Sequence, residues 1–391
     1  MNLNILHNNI QQFIRDNINA DISKILFKGI SFPDVTTQEL VAQIEAKKKC
    51  QHKLPTWFNT ANIYYPNKLN IEQTSSEITA KYKSGLIKGT TIIDLTGGFG
   101  VDCFYFSKKI KTVIHCEIDS KLSEIVQHNY QQLKAENIKT IVGDGIDNLQ
   151  SHNNKYDWIY IDPSRRNDIK GKVFLLGDCL PNVPKNLDVL FNHSDNILIK
   201  VSPILDITSA INELKFVKEV HVVAVNNEVK ELLFILEKGF LADINIKTSN
   251  LQKVNQQEFN FTFGDSETPI YGFPKKYIYE PNAAILKSGG FSEIAIQFNL
   301  EKLQKHSHLY TSDGLIDFPG RRFELKHNIP FDKKKLKKLI PNNKANITTR
   351  NFPLTVSQIR KKTGLKDGGD NYLFCTIDCV NKKIILICQK V

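Results

Sequence analysis

One stretch restricts the fold of this chain more than any other: a short apolar run that ends on an acid and passes into a glycine-rich turn. It spans residues 91–100 and reads TIIDLTGGFG, and residues 101–110 can then open a helix. Glycines allow the backbone to turn sharply and to approach a ligand closely, and the free N–H groups of a helix start favour anionic atoms. The stretch predicts a strand, a ligand-binding turn and a helix; an ordinary strand-to-helix loop is the alternative.

Three further apolar runs follow, and each ends on a polar residue. The runs end at Glu117, at Asp144 and at Asp162. Glu117 lies about 20 residues past the glycines, the spacing at which a nucleotide-binding sheet presents a carboxylate to ribose hydroxyls. In an open parallel sheet the carboxyl ends of the strands form one edge, and the ligand binds there at the switch point of strand order. We therefore predict a doubly wound α/β domain whose acids converge at this edge.

Over residues 70–240 these motifs resemble those of class I S-adenosylmethionine (SAM)-dependent methyltransferases. Residues 94–100 are similar to the first motif of that family, Glu117 stands where its ribose-binding acid lies, and Asp144 where its adenine-facing acid lies. The resemblance implies SAM as methyl donor and a Rossmann-like class I methyltransferase sheet. It assigns cofactor binding to Gln73, Asp94, Thr96, Gly98, Gly100, Glu117, Asp144 and Asp162.

Two alternatives bear on this cofactor set. A nicotinamide-dependent dehydrogenase would show Gly-x-Gly-x-x-Gly, whereas here Cys103 stands in the place of the third glycine. Gln73 precedes the first strand, in a segment that often touches SAM in methyltransferases of this class. The other interpretation of that segment is a polar helix start, within a helix from Ile71 to Ala80, that is capped by Thr74 or Ser75.

The motif Asp162-Pro163-Ser164-Arg165 resembles the Asp-Pro-Pro-aromatic motif of amino-methylating members and departs from it at both last positions. The amino nitrogen of a base is a poor nucleophile because its lone pair is delocalised. An Asp side chain and the carbonyl before a proline can accept its two N–H bonds and favour the attacking geometry. We predict these four residues as catalytic; the alternative for Asp162 is the cap of a turn.

Arg165 stands where an aromatic residue would stack on a flipped base, and Arg166 follows it. A guanidinium group can also stack on a base or pair with phosphate, and surface salt bridges are the alternative. Methylation of uracil C5 would need a cysteine nucleophile, but residues 201–203, after the fifth predicted strand, read VSP, so that chemistry is disfavoured. Lys200 ends that strand and either faces the site or is solvated.

The net charge of +11 is concentrated near the C-terminus. From Arg321 to Lys362 the chain has 13 Lys or Arg against two acids, an excess that equals that of the whole chain. Such a concentrated basic region favours a polyanionic partner, although a lysine-rich helix is often only solvated. The predicted RNA-binding residues are Arg166, Arg321, Arg322, Lys334, Lys335, Lys338 and Arg350.

The C-terminal third carries a second resemblance. Residues 345–353 (ANITTRNFP) and 368–374 (GGDNYLF) resemble a THUMP-like domain. With residues 277–284 (YIYEPNAA) they are similar to a bacterial family that joins a methyltransferase to a ferredoxin-like piece and a THUMP-like end. THUMP domains proper bind RNA, so the resemblance implies tRNA or rRNA as partner.

The predicted division of the chain has four parts, and the first reads as helical from its apolar spacing, with one helix over residues 9–27. The parts are an N-terminal helical region (1–86), a methyltransferase domain (87–265), a ferredoxin-like module (276–320) and a basic THUMP-like domain (321–391).

Composition excludes several other classes. The chain is 41% apolar and has no apolar run of about 18 residues, so no membrane span is predicted. Seven scattered cysteines suit a reducing cytoplasm, where we expect the protein. Cys375, Cys379 and Cys388 suggest a metal at first, but they read as buried positions of a hairpin without a nearby histidine, so no metal is predicted.

The sequence thus favours a SAM-dependent methyltransferase that modifies a base nitrogen in structured RNA. A small-molecule or protein methyltransferase is the alternative with the same cofactor. A SAM- or RNA-binding protein with weak or lost catalysis is the third hypothesis, suggested by Ser164 and Arg165. Fold alone does not choose among them, and the sequence makes no prediction of oligomeric state.

Overall fold

The computed structural model describes residues 1–29, 32–165, 175–254, 256–264, 267–340 and 342–391, and only the backbone of Lys28 and Arg165. The chain divides into two compact units: residues 1–219 with 232–242, and residues 220–231 with 243–391. No helix within the described ranges combines the length and the apolar character that a membrane crossing requires.

The first unit begins with short helices around their own apolar core, which includes Ile10, Ile14, Leu40 and Ile44. After a 3-10 turn at Leu3–Leu6 they are α1 (Asn8–Asp16), α2 (Ile22–Lys28), α3 (Thr37–Lys53), α4 (Pro55–Asn59), α5 (Lys68–Gln73) and α6 (Glu77–Ser84).

Two helix predictions in this region are wrong, and polar side chains explain both. The helix over residues 9–27 is divided because the Asn17 side chain donates to Phe13 O (2.8 Å) at the end of α1, while Asp21 caps α2. The helix expected from Ile71 is interrupted by the extended backbone of Thr74 and Ser76. Ser76 is the N-cap of α6, not Thr74 or Ser75.

A mostly parallel sheet follows, with helices in the connections. Its strands are β1 (Thr91–Asp94), β2 (Thr112–Glu117), β3 (Ile138–Val142), β4 (Trp158–Ile161) and β7 (Asn196–Val201), with a separate pair β5 (Ser164–Arg165) and β6 (Cys179–Leu180). Its helices are α7 (Val101–Ser107), α8 (Ser120–Gln132), α9 (Gly145–Ser151), a 3-10 turn (Leu176–Asp178), α10 (Val183–His193) and α11 (Ile207–Glu213).

The strand order is the doubly wound order that the sequence predicts. It runs β3-β2-β1-β4-β7, all parallel, and then β9 (Glu228–Glu237), which is antiparallel to β7. Strand β8 (Val217–Val225) leads into β9 through Asn226 and Asn227, whose positive φ angles are those of a two-residue hairpin turn. The two strands are neighbours in the sheet and form an antiparallel hairpin.

The second unit contains the antiparallel pair β10 (Asn245–Leu251) and β11 (Gln257–Thr262) and a second sheet. The elements of that sheet are β12 (Tyr277–Pro281), α12 (Ala283–Ser288), α13 (Glu293–Gln297), β13 (Glu301–Lys302), β14 (Tyr310–Ser312), β15 (Gly320–Pro330), α14 (Lys333–Leu339), β16 (Asn346–Thr349), α15 (Val356–Thr363), β17 (Asn371–Ile377) and β18 (Lys383–Lys390).

The two small C-terminal modules predicted from the sequence share this sheet. Its described strands have the order β13-β14-β12-β15-β18-β17-β16, and β15 pairs with β12 on one side and with β18 on the other. Helices α14 and α15 pack together through Leu336 and Ile359 above Leu373 and Ile385. The predicted hairpin is confirmed as β17 and β18, and Cys375 and Cys388 are buried on its strands. The prediction is wrong for Cys379, which lies in the turn after β17 and is partly exposed.

Candidate active site

Strand register brings the predicted acids of the first unit onto one face of its sheet. Asp94 pairs with His115 on one side and with Tyr160 on the other. Side chains alternate between the two faces of a sheet, so residues two positions further along project from this same face. Glu117 and Asp162 occupy those positions, at the carboxyl ends of β2 and β4.

The glycine turn lies against Glu117. Gly98 and Gly100 have φ angles of +54° and +77°, a region that favours glycine. The Gly98 N–H donates to Oε2 of Glu117 (2.8 Å), and the Asp119 N–H donates to Oε1 (2.8 Å). The carboxylate is thereby fixed beside the turn at the end of β2, where sequence spacing predicted a ribose-binding acid.

Two side chains that the sequence did not single out contact the turn, one from β2 and one from α8. His115 is fully buried, and its Nε2 lies 3.3 Å from Gly98 O. The hydroxyl of Tyr130, on α8, donates to Gly100 O (3.0 Å). Burial lowers the pKa of His115 to about 4, so the ring is neutral at pH 7. The sequence did contain a signal for His115: it lies two residues before Glu117, so on a strand both side chains project from the same face.

The glycine at position 97 is required by this packing. A Cβ atom there would lie 2.3 Å from Nε2 of His115, and one at Gly100 would lie 2.1 Å from the hydroxyl of Tyr130. The buried imidazole therefore leaves no room for a side chain at position 97.

Asp94 is buried behind the turn. Its Oδ1 accepts from Thr96 N (2.9 Å), and its Oδ2 accepts from the Cys103 thiol (3.2 Å). Burial raises the pKa of Asp94 to about 7, opposed by the hydrogen bond from Thr96 and assisted by the negative charge of Asp102. Asp94 therefore changes its charge near neutral pH.

A buried ion pair that the sequence analysis missed lies next to Asp94. Lys83 and Asp102 form it, and Oδ2 of Asp102 also accepts from Ser75 (2.8 Å) and Tyr160 (2.8 Å). Burial alone would raise the pKa of Asp102, but the ammonium groups of Lys83 and Lys200 and these hydrogen bonds hold it below its usual value. The network joins α6 and α7 to each other and to Tyr160 of β4.

The predicted catalytic segment is anchored at both ends. The Asp162 N–H donates to Oγ1 of Thr96 (2.7 Å), and Pro163 is buried. Ser164 and Arg165 pair with β6 through their backbones. The carboxylate of Asp162 forms an ion pair with Lys200, whose side chain is 12% exposed. The interpretation of Lys200 as a solvated lysine is wrong.

The remaining predicted cofactor residues lie in separate positions around this edge. Oδ1 of Asp144 accepts from Ile146 N (2.7 Å) and caps α9. Gln73 is exposed at the end of α5. Ile118 and Val142 lie near Glu117, at the ends of β2 and β3, and expose large apolar side chains (72% and 58%). The edge therefore offers a narrow turn, a fixed carboxylate and an apolar surface.

The basic residues of the second unit fall into two groups. Lys333, Lys334, Lys335, Lys337 and Lys338 of α14 are all exposed, and none forms an ion pair with a described residue. Arg321 and Arg350, by contrast, both direct their guanidinium groups to Glu280, which is 2% exposed. We therefore remove these two arginines from the proposed RNA-binding set.

Two further predicted RNA contacts are Arg322 and Arg166. Arg322 lies on β15 with Nη1 3.4 Å from the exposed carboxylate of Asp317. Arg166, the other predicted RNA contact near the active site, lies outside the described residues. Within those residues, no group of three or more His, Cys, Asp or Glu side chains is arranged to hold a metal ion.

Comparison with known proteins identifies the family. The chain is 32% identical to a "putative methyltransferase" of Porphyromonas gingivalis W83, over 99% of this chain and 98% of that one, with a TM-score of 0.88. The chain belongs to this methyltransferase family. Family models match residues 60–178 as "conserved hypothetical protein 95", residues 277–319 as a ferredoxin-like domain and residues 320–390 as THUMP domain-like. The predicted family, a SAM-dependent methyltransferase joined to these two modules, is confirmed.

More distant similarities involve a smaller part of the methyltransferase. An rRNA methylase of Streptococcus thermophilus is 14% identical, over 41% of this chain and 94% of that one, with a TM-score of 0.30. A similarity at that level carries no argument about the substrate. A search of curated proteins finds no match for the methyltransferase.

Proposed function

We propose that the methyltransferase binds SAM at the carboxyl edge of its first sheet and transfers the methyl group to a base nitrogen in structured RNA, tRNA or rRNA. SAM supplies an electrophilic methyl group when it is bound. Glu117 would hold the ribose hydroxyls, and Ile118 and Val142 would cover the adenine, because a ring prefers an apolar surface. The left-handed backbone of Gly98, which carries no side chain, supports close approach of a ligand to the turn.

The remaining predicted cofactor residues complete this site. Asp94 and Asp162 would place negative charge near the cationic part of the ligand, and Thr96 would fix the backbone between them. Asp144 would face the adenine from the end of β3, and Gln73 would approach from α5. Gly98 and Gly100 would line the turn with backbone alone.

The observation that carries the transfer step is the anchored segment from Asp162 to Arg165. The carboxylate of Asp162 and the carbonyl before Pro163 can accept the two N–H bonds of an exocyclic amine, which orients its lone pair for in-line attack. Thr96 and β6 hold this segment at its two ends, so the acceptors are preorganised. Ser164 and Arg165 would contact the base, and Arg166 an adjacent phosphate.

The lysines of α14 support RNA as the substrate. An exposed helix with five lysines and no described ion pair has a strongly positive potential, which phosphate groups neutralise with release of counterions. Lys334, Lys335 and Lys338, with Arg322 on β15, form the proposed contact surface. Phosphate contacts supply affinity, while base choice stays with the active site.

Methyl transfer from tritiated SAM to total RNA tests this function. The RNA is taken from a strain that lacks the gene, and the variants are Asp162→Ala and, as a matched control, Asp147→Ala, which alters an exposed acid of α9. We expect the wild type and Asp147→Ala to label RNA and Asp162→Ala to leave it unlabelled. Nucleoside analysis of the labelled RNA then identifies the base.

Two results would contradict the proposal in different ways. If the wild type binds SAM by calorimetry but labels no RNA, RNA is not the substrate, and proteins and metabolites become the next acceptors to test. If Asp162→Ala labels RNA as well as the wild type does, the acceptor site is elsewhere on the sheet edge.

A further inference from the structure

We infer that Lys200 is a positioning residue for methyl transfer: its ammonium group fixes the carboxylate of Asp162 in the orientation that receives the target amine. The inference rests on the proposed function, because it concerns the same acceptor. Lys200 acts through Asp162 and is given no contact with SAM or the base.

Strand register explains why the two side chains meet. Ile161 of β4 pairs with Ile199 of β7, so the next residues, Asp162 and Lys200, lie side by side and project from the same face. The Lys200 ammonium contacts Oδ2 of Asp162. This contact therefore leaves Oδ1 as the oxygen that accepts an N–H of the substrate.

The burial of the two partners differs, and the difference indicates which one restrains the other. The side chain of Lys200 is 12% exposed, whereas that of Asp162 is 33% exposed. A carboxylate at the end of a strand would otherwise sample several rotamers. Because its partner is largely enclosed, Asp162 is held in one of them at the position where the amine must dock.

The groups behind Lys200 keep this arrangement in place. The charge of Lys200 also acts on the buried carboxylate of Asp102, which is paired with Lys83. Positive and negative groups thus alternate from Lys83 through Asp102 and Lys200 to Asp162. The carboxylate that faces the substrate is the outer member of this series, so its orientation is coupled to the buried network.

A purely structural role predicts something different. Strands β4 and β7 are already joined by the backbone ladder from Ile159 to Ile161, so the ion pair is not required for them to pair. If the pair only added stability, removing it would lower the melting temperature and leave turnover per folded molecule unchanged. If the pair positions Asp162, its removal lowers turnover per folded molecule and leaves the affinity for SAM unchanged.

The experiment compares Lys200→Met, which keeps the length of the side chain, with Lys200→Arg, which keeps the charge. Lys218→Met is the control, because Lys218 also forms a cross-strand ion pair, with Glu237 on β8 and β9, but a more exposed one. Initial rates of tritium transfer from saturating SAM to total RNA from the deletion strain are measured with the SAM dissociation constant.

We expect Lys200→Met to lower the rate about 100-fold, the effect of displacing a positioned group by about 1 Å. Its SAM dissociation constant should stay within about threefold of the wild-type value, since Lys200 is given no contact with SAM and the ground-state binding of SAM is unaffected. Lys200→Arg should restore most of the rate, and Lys218→Met should match the wild type.

A comparison of two further variants keeps the inference testable if Lys200→Met alone folds poorly. They are Asp162→Asn and the double variant Asp162→Asn with Lys200→Met, in which both charges of the pair are removed. A positioning role requires that these two variants have nearly the same rate, because Lys200 acts only through the Asp162 carboxylate. A further large loss of rate in the double variant would overturn the inference.

Other outcomes separate this inference from the proposed function. A wild-type rate for Lys200→Met, or a loss of SAM affinity as large as the loss of rate, would overturn the role of Lys200 and leave RNA methylation standing. If the wild type labels no RNA, the proposed substrate fails, and the inference that rests on it fails as well.

Discussion

The Nζ atom of Lys83 lies 3.2 Å from Oδ1 of Asp102, and the lysine side chain has no exposed surface. Lys83 belongs to the last turn of α6, whereas Asp102 is in the first turn of α7, directly after the glycine turn. A buried charge pair therefore attaches α6 to the helix that follows the glycine turn.

Asp102→Asn is expected to destabilise the first unit strongly. It removes the carboxylate charge that faces the buried Lys83 ammonium, and breaking a buried pair from one side costs about 3–5 kcal/mol. Because its pKa is lowered, Asp102 contributes this stability above its unfolded pKa of about 3.9 and loses it as the pH falls through the folded value. Urea unfolding should therefore show a constant difference from pH 5 to 8 that narrows only in stronger acid.

The control for this prediction is Asp188→Asn. Asp188 pairs with Lys215 on the surface, and both side chains are mostly exposed, so stability should not change measurably. Equal stability of Asp102→Asn and wild type would mean that the network around Ser75 and Tyr160 compensates for the lost charge.

Asp94 should give the opposite dependence on pH. Its folded pKa of about 7 lies above the unfolded value, so the folded state holds an extra proton between about pH 4 and 7. The free energy of unfolding should therefore fall as the pH rises through this window, by up to about 1.4 kcal/mol per pH unit, and level off above it. Asp94→Asn has no carboxyl group to titrate, so this pH dependence should be absent from the variant. If the free energy of unfolding of the two proteins changed in parallel with pH, the raised pKa of Asp94 would be contradicted.

Gly97→Ala should impair SAM binding at least roughly tenfold, about 1.4 kcal/mol. The new Cβ would lie 2.3 Å from a buried imidazole, so the turn or the ring must move. Gly314→Ala is the control, because a Cβ there meets no atom within 4 Å. The measurement is the SAM dissociation constant by calorimetry; equal values for both variants would show that the turn relaxes without cost.

Replacing Lys334, Lys335 and Lys338 by Gln should weaken binding to bulk tRNA and reduce its salt dependence. Each phosphate contact contributes roughly 0.7 to 0.9 to the slope of log affinity against log salt, so the slope should fall by about 2. The control changes Lys24, Lys48 and Lys81, which are equally exposed but lie on the N-terminal helices. Equal slopes for both triple variants would indicate non-specific attraction alone.

The strand ends of the cofactor edge could be predicted from the sequence because their signal is local. An apolar run followed by an acid marks the carboxyl end of a buried strand, and Asp94, Glu117 and Asp162 lie at such ends. The glycine turn could be predicted for the same reason. The need for glycine at position 97 could not, because the imidazole that excludes a Cβ there belongs to His115 on the neighbouring strand.

The charge pairs could not be predicted, because they depend on partners that are distant in the sequence. The sequence offered no reason to single out Lys83 and allowed Lys200 either to face the site or to be solvated. Strand register and helix phase bring Asp102 and Asp162 beside them. Glu280 is a similar case. Arg321 and Arg350 both form ion pairs with it, but within the basic region the sequence contains no sign that these two arginines differ from the others.

The sheet of the second unit has a consequence for how such proteins evolve. The ferredoxin-like and THUMP-like family models meet between residues 319 and 320, at the start of β15, a strand whose neighbours belong one to each model. A fragment cut there would leave β12 and β15 with unpaired backbone groups along their former contact, and such edges promote aggregation. We therefore expect the two modules to unfold together and to be inherited as one piece.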